Sequence, residues 1–192
     1  MTQRISANQV LDCKGLACPM PIVRTKKSID TLMPGEVIEV QATDKGSLAD
    51  IQGWAKNTGH QYLGTLHEGE VLRHFVRKAF LDEEKEDQTY PNTITNETVM
   101  NKLDAKESLV IVDVREPAEY AFNHIPGAKS IPLGELDKRL DEISMSDDIY
   151  VICRTGRRSG YACQLLNEKG YRVTNVEPGM SEWTGPMEQT GR

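Results

Sequence analysis

Hydrophobic positions in the first eighty residues alternate between the spacings of strands and helices. Apolar residues at Ile22, Ile29 and Leu32, with lysines between them, fit one face of a helix that starts near Pro19. The run Val37 to Ala42 follows a Pro-Gly pair and predicts a strand. The later elements are a helix carrying Leu48, Ile51 and Ala55, and a hairpin of Gln61–Leu66 and Val71–Ala79. The pattern predicts a small sheet with two helices on one face.

The second half of the chain shows two near-continuous apolar runs, Leu109 to Val114 and Ile149 to Cys153. Such runs are typical of strands covered on both faces. Helical spacing is found at Glu97–Leu103, Pro117–Phe122, Leu133–Leu140 and Ser159–Lys169. The alternation predicts a parallel sheet with helices on both faces. Ligands in such folds bind at the carboxyl ends of strands, where Cys153 lies.

A strongly acidic segment separates the two halves. Asp82 to Gln88 contains five acidic residues and one basic residue, and Pro91 follows. Charge runs of this kind usually stay solvated. We therefore interpret residues 82–92 as a linker between domains at 1–81 and 93–192. The first domain holds 10 basic and 8 acidic residues and the second 12 and 16, so we expect no direct nucleic acid binding.

Composition narrows the class of protein further. The net charge is −6, and no apolar stretch is long enough for a transmembrane helix. The start, Met1 to Val10, lacks the apolar core of a signal peptide, which favours a cytoplasmic location. In that compartment the four cysteines, at positions 13, 18, 153 and 163, are expected to be free thiols. The histidines show no metal-ligand spacing with the cysteines, so we expect no metal and no cofactor.

Chemistry is concentrated in the loop that follows the Ile149–Cys153 strand. Three arginines lie within five residues of Cys153, and a helix is predicted to begin near Ser159. Backbone N–H groups at such a junction form an anion-binding nest, and the helix dipole adds positive potential. Both effects should lower the pKa of the Cys153 thiol and stabilise a persulfide or an oxyanion donor. We assign Cys153 as a nucleophile and assign donor binding to Arg154, Thr155, Gly156, Arg157 and Arg158.

Two other interpretations of this loop are possible. Cys153 is a structural cysteine in the first, with arginines that serve solubility. In the second, the loop belongs to a cysteine phosphatase. Those enzymes place five residues between cysteine and arginine, whereas Arg158 follows Cys153 after four. The shorter loop favours a smaller reacting centre, a single sulfur.

Residues 93–190 resemble a single-domain rhodanese. The resemblance is carried by the Cys153–Ser159 loop, by an upstream signature and by a terminal one. The upstream signature is Asp113-Val114-Arg115-Glu116 with Glu119-Tyr120 and His124-Ile125-Pro126-Gly127-Ala128, and the terminal one is Pro178-Gly179-Met180-Ser181-Glu182-Trp183. It implies that Cys153 forms the persulfide and that the backbone of Arg154 to Arg158 cradles it. We expect Asp113 and Arg115 to support the site, and Cys163 to be a core residue.

A second cysteine motif, Cys18-Pro19-Met20-Pro21, precedes the first predicted helix. Proline suits the first helical turn, and the positive end of a helix favours thiolate at Cys18. The motif by itself is equally consistent with an ordinary helix boundary that contains a cysteine.

The stretch Leu11 to Pro21 resembles the TusA-like sulfur carriers, as do Thr43-Asp44 and the run Trp54 to His60. The resemblance covers about residues 8–80. It implies a two-layer α/β sandwich in which Cys18 carries sulfur as a persulfide to other proteins. Cys13 is then either a thiol that resolves this persulfide or a buried thiol at a strand end.

Taken together, these features predict a sulfurtransferase with two cysteine sites. Sulfane sulfur from thiosulfate or a persulfide would pass through Cys153 to Cys18, and on to an acceptor thiol or protein. The alternative is a carrier or persulfide sensor with little turnover that feeds partner proteins. Nothing in the sequence identifies the physiological donor or the final acceptor, and a homodimer is left open.

Overall fold

The computed structural model describes residues 5–80 and 90–190, which form two compact units. Most of the acidic segment at 82–92 lies outside the described residues. Its last residues belong to the second unit by their contacts. Tyr90 packs against that unit's core, and the side-chain amide of Asn92 donates to the carbonyl of Val173 at 2.8 Å.

The first unit is a four-stranded sheet with two helices. Its elements are β1 (Gln9–Cys13), α1 (Met20–Asp30), β2 (Val37–Ala42), α2 (Ser47–Thr58), β3 (Gln61–Glu68) and β4 (Val71–Arg77). The strand order is β1-β2-β4-β3, with β1 parallel to β2 and the other pairs antiparallel. The predicted succession of strand, helix, strand, helix and hairpin is confirmed.

Both helices cover the same face of this sheet. Ile29 of α1 and Ile51 of α2 pack in one buried cluster with Ile38, Val40 and Val76 from the strands. Ile38 and Val40 are two positions apart on β2, as side chains on the same face of a sheet must be. The unit is therefore the two-layer α/β sandwich that was predicted.

One histidine is buried in this layer. The Nε2 atom of His74 lies 2.9 Å from Ser47 Oγ, and its Nδ1 atom lies 2.9 Å from Thr65 Oγ1 and 3.1 Å from the Tyr62 hydroxyl. Burial, and secondarily the charge of His67, lowers the pKa of His74 to about 4. The imidazole is consequently neutral and serves as a polar bridge between α2, β3 and β4.

The second unit is built on a five-stranded sheet. Its elements are β5 (Thr93–Thr95), α3 (Asn96–Asp104), β6 (Val110–Asp113), α4 (Pro117–Phe122), β7 (Lys129–Ser130), β8 (Asp148–Ile152), α5 (Arg157–Glu168) and β9 (Arg172–Glu177). The order is β5-β9-β8-β6-β7, and every pair is parallel. The segment predicted as a helix over Leu133–Leu140 forms 3-10 turns at Leu133–Lys138 and Leu140–Glu142.

Alternate residues of the central strand β8 enter two different cores. Ile149 and Val151 pack with Leu166 of α5 in one cluster. Tyr150 and Ile152 face the other cluster, which contains Val99 of α3. The sheet is therefore covered by helices on both faces, as predicted. Among the helices of the described ranges, none is both long enough and apolar enough to cross a membrane.

Candidate functional site

The Cys153 loop joins β8 to α5 at the carboxyl edge of the second sheet. β8 ends at Ile152, Cys153 is the first loop residue, and α5 begins at Arg157. Cys153 has no exposed surface and packs with the core, whereas Thr155 is exposed. The sulfur of Cys153 is therefore covered by protein, and the exposed part of the loop lies at Thr155.

The backbone N–H groups of this loop are available to a ligand. Within the described ranges, the N–H groups of Arg154, Thr155, Gly156 and Arg157 donate no backbone hydrogen bond. The first intrahelical bond of α5 is from Gly160 N to the Gly156 carbonyl, at 2.9 Å. Free donors at a helix start attract anions, and the helix dipole acts in the same direction. Anion binding by this part of the backbone stays a prediction.

The segment that follows β9, Gly179 to Ser181, packs against the Cys153 loop. The carbonyl of Cys153 accepts a hydrogen bond from Met180 N and that of Arg154 from Ser181 N, both at 2.8 Å. A Cβ at Gly179 would lie 2.5 Å from the Cys153 carbonyl oxygen, so only glycine allows this approach. The buried Asn96 side chain in turn bonds both the N–H and the carbonyl of Gly179.

Gly156 is fixed at the turn of the loop by β9. It has a φ of +87°, in the left-handed region, and its carbonyl accepts a hydrogen bond from Asn175 Nδ2 at 3.0 Å. The same amide nitrogen donates to Glu177 Oε1 at 2.8 Å. Sequence analysis missed the roles of Asn96, Asn175 and Glu177, because none of them lies within the loop.

Arg158 has a partner that the sequence did not predict. Its guanidinium donates two hydrogen bonds to the carboxylate of Glu119, at 2.7 and 2.9 Å, and both residues are buried. Glu119 also accepts the backbone N–H of Glu116 in the capping box of α4. Three arginines were expected to add positive potential at the site. The guanidinium charge of one of them, Arg158, is thus balanced by the Glu119 carboxylate.

The other arginines and the thiol have different surroundings. Arg154 and Arg157 are half-buried, and Nη1 of Arg157 has no hydrogen-bond partner in the part of the chain that the structure describes. The Ser159 hydroxyl lies 3.3 Å from Cys153 Sγ and donates to it. The loop and the start of α5 therefore place one hydroxyl donor against the nucleophile.

Asp113, Arg115 and Cys163 are all buried. Asp113 and Arg115 form a buried ion pair at 2.6 Å, and Arg115 also holds the carbonyl and side chain of Asn123. Cys163 on α5 is fully buried, and burial, followed by the charges of Cys153 and Glu177, raises the pKa of its thiol to about 12. Cys163 is thus an unreactive core residue.

Cys18 belongs to the first unit, in the loop between β1 and α1. It is exposed, and its backbone N–H donates to Asp44 Oδ2 at 3.2 Å. Thr43 anchors the same loop by accepting the N–H of Gly15 at 2.9 Å. Cys13, five residues upstream, is fully buried at the end of β1, and burial raises the pKa of its thiol.

The expectation that the helix end favours thiolate at Cys18 is wrong. A hydrogen bond to Asp50 raises the pKa of the Cys18 thiol, and partial burial and the charges of Asp50 and Asp44 raise it further. The prolines explain why the helix does not compensate. Pro19 and Pro21 carry no N–H, so the start of α1 has fewer donors than an ordinary helix. Nearby carboxylates therefore dominate the electrostatics of this site.

The chain matches two family models, one for each unit. Residues 9–78 match the model described as "Sulfurtransferase TusA", and residues 95–186 match the "Rhodanese-like domain". These spans contain the Cys18 and Cys153 sites respectively.

Relatives with known names agree with this division. A protein named "Putative sulfur carrier protein YrkF" from Bacillus subtilis is 52% identical over 185 residues, covering 96% of this chain and all of that protein. A protein named "Sulfurtransferase" from Allochromatium vinosum is 38% identical over 93 residues, 48% of this chain and 87% of its own. The crystal structure of a rhodanese-like domain protein from Staphylococcus aureus, 33% identical, aligns with a TM-score of 0.50 over 52% of this chain and 99% of that one. The chain thus belongs to the sulfur carrier and sulfurtransferase family in which a TusA domain is joined to a rhodanese-like domain.

Proposed function

We propose that this protein transfers sulfane sulfur from a small-molecule donor to Cys153, then to Cys18, and finally to an acceptor thiol or protein. The observation that carries this proposal is the Cys153 loop. Cys153 is followed by four residues, Arg154 to Arg157, whose N–H groups donate no backbone hydrogen bond within the described ranges, and the Ser159 hydroxyl donates to its sulfur. Such a loop stabilises negative charge on the sulfur and on an anionic donor.

The loading step is a displacement at sulfur. The Cys153 thiolate attacks the sulfane sulfur of thiosulfate, the S–S bond of thiosulfate breaks, and sulfite leaves with the bonding electron pair. With a persulfide donor, the attacked sulfur is the outer one, and the donor's thiolate leaves. Either reaction yields a Cys153 persulfide, and neither needs an oxidant or a reductant.

The transfer step follows the same rules. The thiolate of Cys18 attacks the outer sulfur of the Cys153 persulfide, which regenerates the Cys153 thiolate. Cys18 suits this role because it is exposed, whereas Cys153 is buried. Residues 82–92 are proposed as the linker that lets the two sites meet, and the free thiols support a cytoplasmic location. Exchange between two chains of a homodimer is an equivalent route.

Turnover distinguishes an enzyme from a carrier. The full chain is mixed with thiosulfate or a low-molecular-weight persulfide, with cyanide or a thiol as acceptor. Wild type should turn over many times, and Cys153→Ser should lose at least about two orders of magnitude in rate. A single stoichiometric loading without turnover would favour the alternative of a carrier or persulfide sensor. Near wild-type turnover by Cys153→Ser would refute the role of Cys153.

Peptide mass analysis tests the order of transfer. After exposure to a labelled donor, wild type should carry label on both Cys153 and Cys18. Cys153→Ser should lose or greatly slow labelling of Cys18, whereas Cys18→Ala should keep label on Cys153. Equal labelling of Cys18 without Cys153 would mean that the two sites work independently. If mixing the two variants restores transfer at rates that fall on dilution, the transfer takes place between chains.

A further inference from the structure

A carboxylate lies directly against the Cys153 loop. Glu177 is the last residue of β9 and is half-buried. A Cβ built on Gly156 would lie only 2.9 Å from Cγ of Glu177, so this side chain contacts the loop backbone. Asn175 links the two, because its amide nitrogen donates both to the Gly156 carbonyl and to Glu177 Oε1.

The strand register explains why the carboxylate occupies this place. Val151 of β8 pairs with Asn175 of β9 in parallel. Two residues after this pair come Cys153 and Glu177. Both therefore lie at the same edge of the sheet. Side chains two residues apart on a strand point to the same face. The position of Glu177 is consequently set by the sheet rather than by a mobile side chain.

The charge of Glu177 is not compensated by an ion pair within the described ranges. Within the part of the chain that the structure describes, the one side-chain hydrogen bond that Glu177 accepts comes from the neutral amide of Asn175. The pKa of Cys163, which burial raises most, is raised further by the charges of Cys153 and Glu177. The negative charge of Glu177 therefore acts on the thiol of Cys163, on the helix that follows the loop.

This charge acts against the arginines. Arg158 is compensated by Glu119, which leaves Arg154 and Arg157 as the guanidinium groups of the loop without a described carboxylate partner. Glu177 offsets part of their attraction for an anion. The repulsion between Glu177 and an anionic donor grows with the charge of the donor, because Coulomb energy is proportional to the product of the charges. A dianion is thus repelled about twice as strongly as a monoanion at the same position.

We propose that Glu177 is a specificity-determining residue that disfavours the thiosulfate dianion and favours sulfane donors with less negative charge, namely persulfides and organic thiosulfonates. The proposal rests on the proposed sulfurtransferase function and narrows its donor class. Glu177 takes no part in bond making. It selects donors by its charge, from its position against Gly156 of the loop.

Thiosulfate and ethanethiosulfonate form a matched pair of probes. Attack of the Cys153 thiolate on thiosulfate breaks its S–S bond and releases sulfite, which keeps the electron pair. Attack on ethanethiosulfonate breaks the corresponding bond and releases ethanesulfinate. Both reactions leave the same Cys153 persulfide. The two donors have similar sulfur–oxygen groups but differ by one unit of negative charge.

The variant Glu177→Gln removes the charge and keeps an acceptor for Asn175. The ratio of kcat/KM for thiosulfate to that for ethanethiosulfonate should rise about three- to tenfold, as expected for one unit charge at a partly screened site. The rise should shrink as salt is added.

Glu177→Asp keeps the charge and should keep the ratio within about twofold. Glu182→Gln, at an exposed position in the following turn, is the matched control and should leave the ratio unchanged.

Anion binding without turnover separates this proposal from the proposed function. Binding of both anions to Cys153→Ser, with and without Glu177→Gln, is measured by calorimetry. The affinity ratio should shift in the same direction as the kinetic ratio. If neither donor is turned over but the affinity ratio shifts, the charge selection stands and the sulfurtransferase function fails. If turnover is present and neither ratio moves, the charge selection by Glu177 is wrong.

Discussion

The Oγ atom of Ser159 lies 3.3 Å from the Sγ atom of Cys153 and 3.0 Å from the carbonyl oxygen of Gly156. A hydroxyl has one proton, so donation to the sulfur competes with donation to the carbonyl. Negative charge on the sulfur favours donation to the sulfur, because ionised acceptors form the stronger bonds. Ser159 is thus poised to stabilise a thiolate or persulfide anion on Cys153.

Replacing Ser159 by alanine should therefore slow sulfur loading. Loss of a hydrogen bond to a charged acceptor corresponds to about a ten- to hundredfold lower kcat/KM. Ser159→Thr retains the hydroxyl and should recover most of the rate. Ser146→Ala removes an exposed hydroxyl outside the Cys153 loop and serves as the control. An unaltered rate in Ser159→Ala would show that the hydroxyl serves only the Gly156 carbonyl.

The ion pair of Arg158 and Glu119 should contribute to folding stability. Arg158→Ala leaves the Glu119 carboxylate buried without its guanidinium, which typically costs about 3–5 kcal/mol. The free energy of unfolding is measured in urea by Trp183 fluorescence, in a Trp54→Phe background.

Arg139→Ala is the matched control for this ion pair. Arg139 pairs with Glu135 and Glu142 at a more exposed site, where each pair is worth about 1 kcal/mol or less. Similar losses in Arg158→Ala and Arg139→Ala would contradict a special role for the buried pair.

Thiol reactivity should follow exposure. Cys18 is exposed, whereas Cys13, Cys153 and Cys163 have no exposed surface. Under native conditions iodoacetamide should modify Cys18 first, as measured by peptide mass analysis over time. In urea the four thiols should react at similar rates, which controls for intrinsic differences. Preferential modification of Cys153 in the native protein would mean that its loop opens readily.

The acidic neighbour of Cys18 gives a second test at the same thiol. Asp50 raises the pKa of Cys18, so less of it is thiolate at neutral pH. Asp50→Asn should lower this pKa, speed alkylation of Cys18 several-fold near neutral pH, and shift its pH profile to lower pH. Asp30→Asn, at the other end of α1, should leave the profile in place. An unchanged profile in Asp50→Asn would remove Asp50 as the cause.

The buried His74 should make the first unit sensitive to acid. Its pKa is about 4 in the folded state against 6.5 for an ordinary histidine, so between these values the unfolded chain binds more protons. Stability should be unaffected by His74 above pH 6.5 and fall as the pH drops towards 4, by up to about 3 kcal/mol in total.

Urea unfolding followed by Trp54 fluorescence, in a Trp183→Phe background, measures this dependence. His74→Gln should flatten it between pH 6.5 and 4. His67→Gln, at an exposed position, should keep most of it. The same slope in His74→Gln as in wild type would place the acid sensitivity on other groups.

Much of the architecture could be predicted from local patterns. Val37 to Ala42, Pro117 to Phe122 and the Ile149–Cys153 run predicted elements that the structure contains, because alternation and helical spacing are local properties of the chain. Strand β9 was not predicted, since Arg172 to Glu177 mixes polar and apolar residues without clear alternation. Its place between β5 and β8 depends on partners distant in sequence.

The candidate site also combines residues that are close in sequence with partners that are distant in sequence. Cys153, Gly156 and the arginines are contiguous, so the order of strand end, loop and helix start by itself predicted an anion-binding backbone around a cysteine. The partners of those residues come from other elements. Glu119 is 39 positions from Arg158, Asn96 is 83 from Gly179, and Asn175 is 19 from Gly156.

The sequence by itself determined which cysteines stand at loop–helix junctions and which residue types surround them along the chain. Tertiary structure decided the charge that each sulfur experiences. It bound the Arg158 guanidinium to Glu119, set Glu177 against Gly156, and placed the carboxylates of Asp44 and Asp50 around Cys18. The reason is physical: electrostatic energy depends on distance through space, and folding brings together charges that the chain keeps far apart.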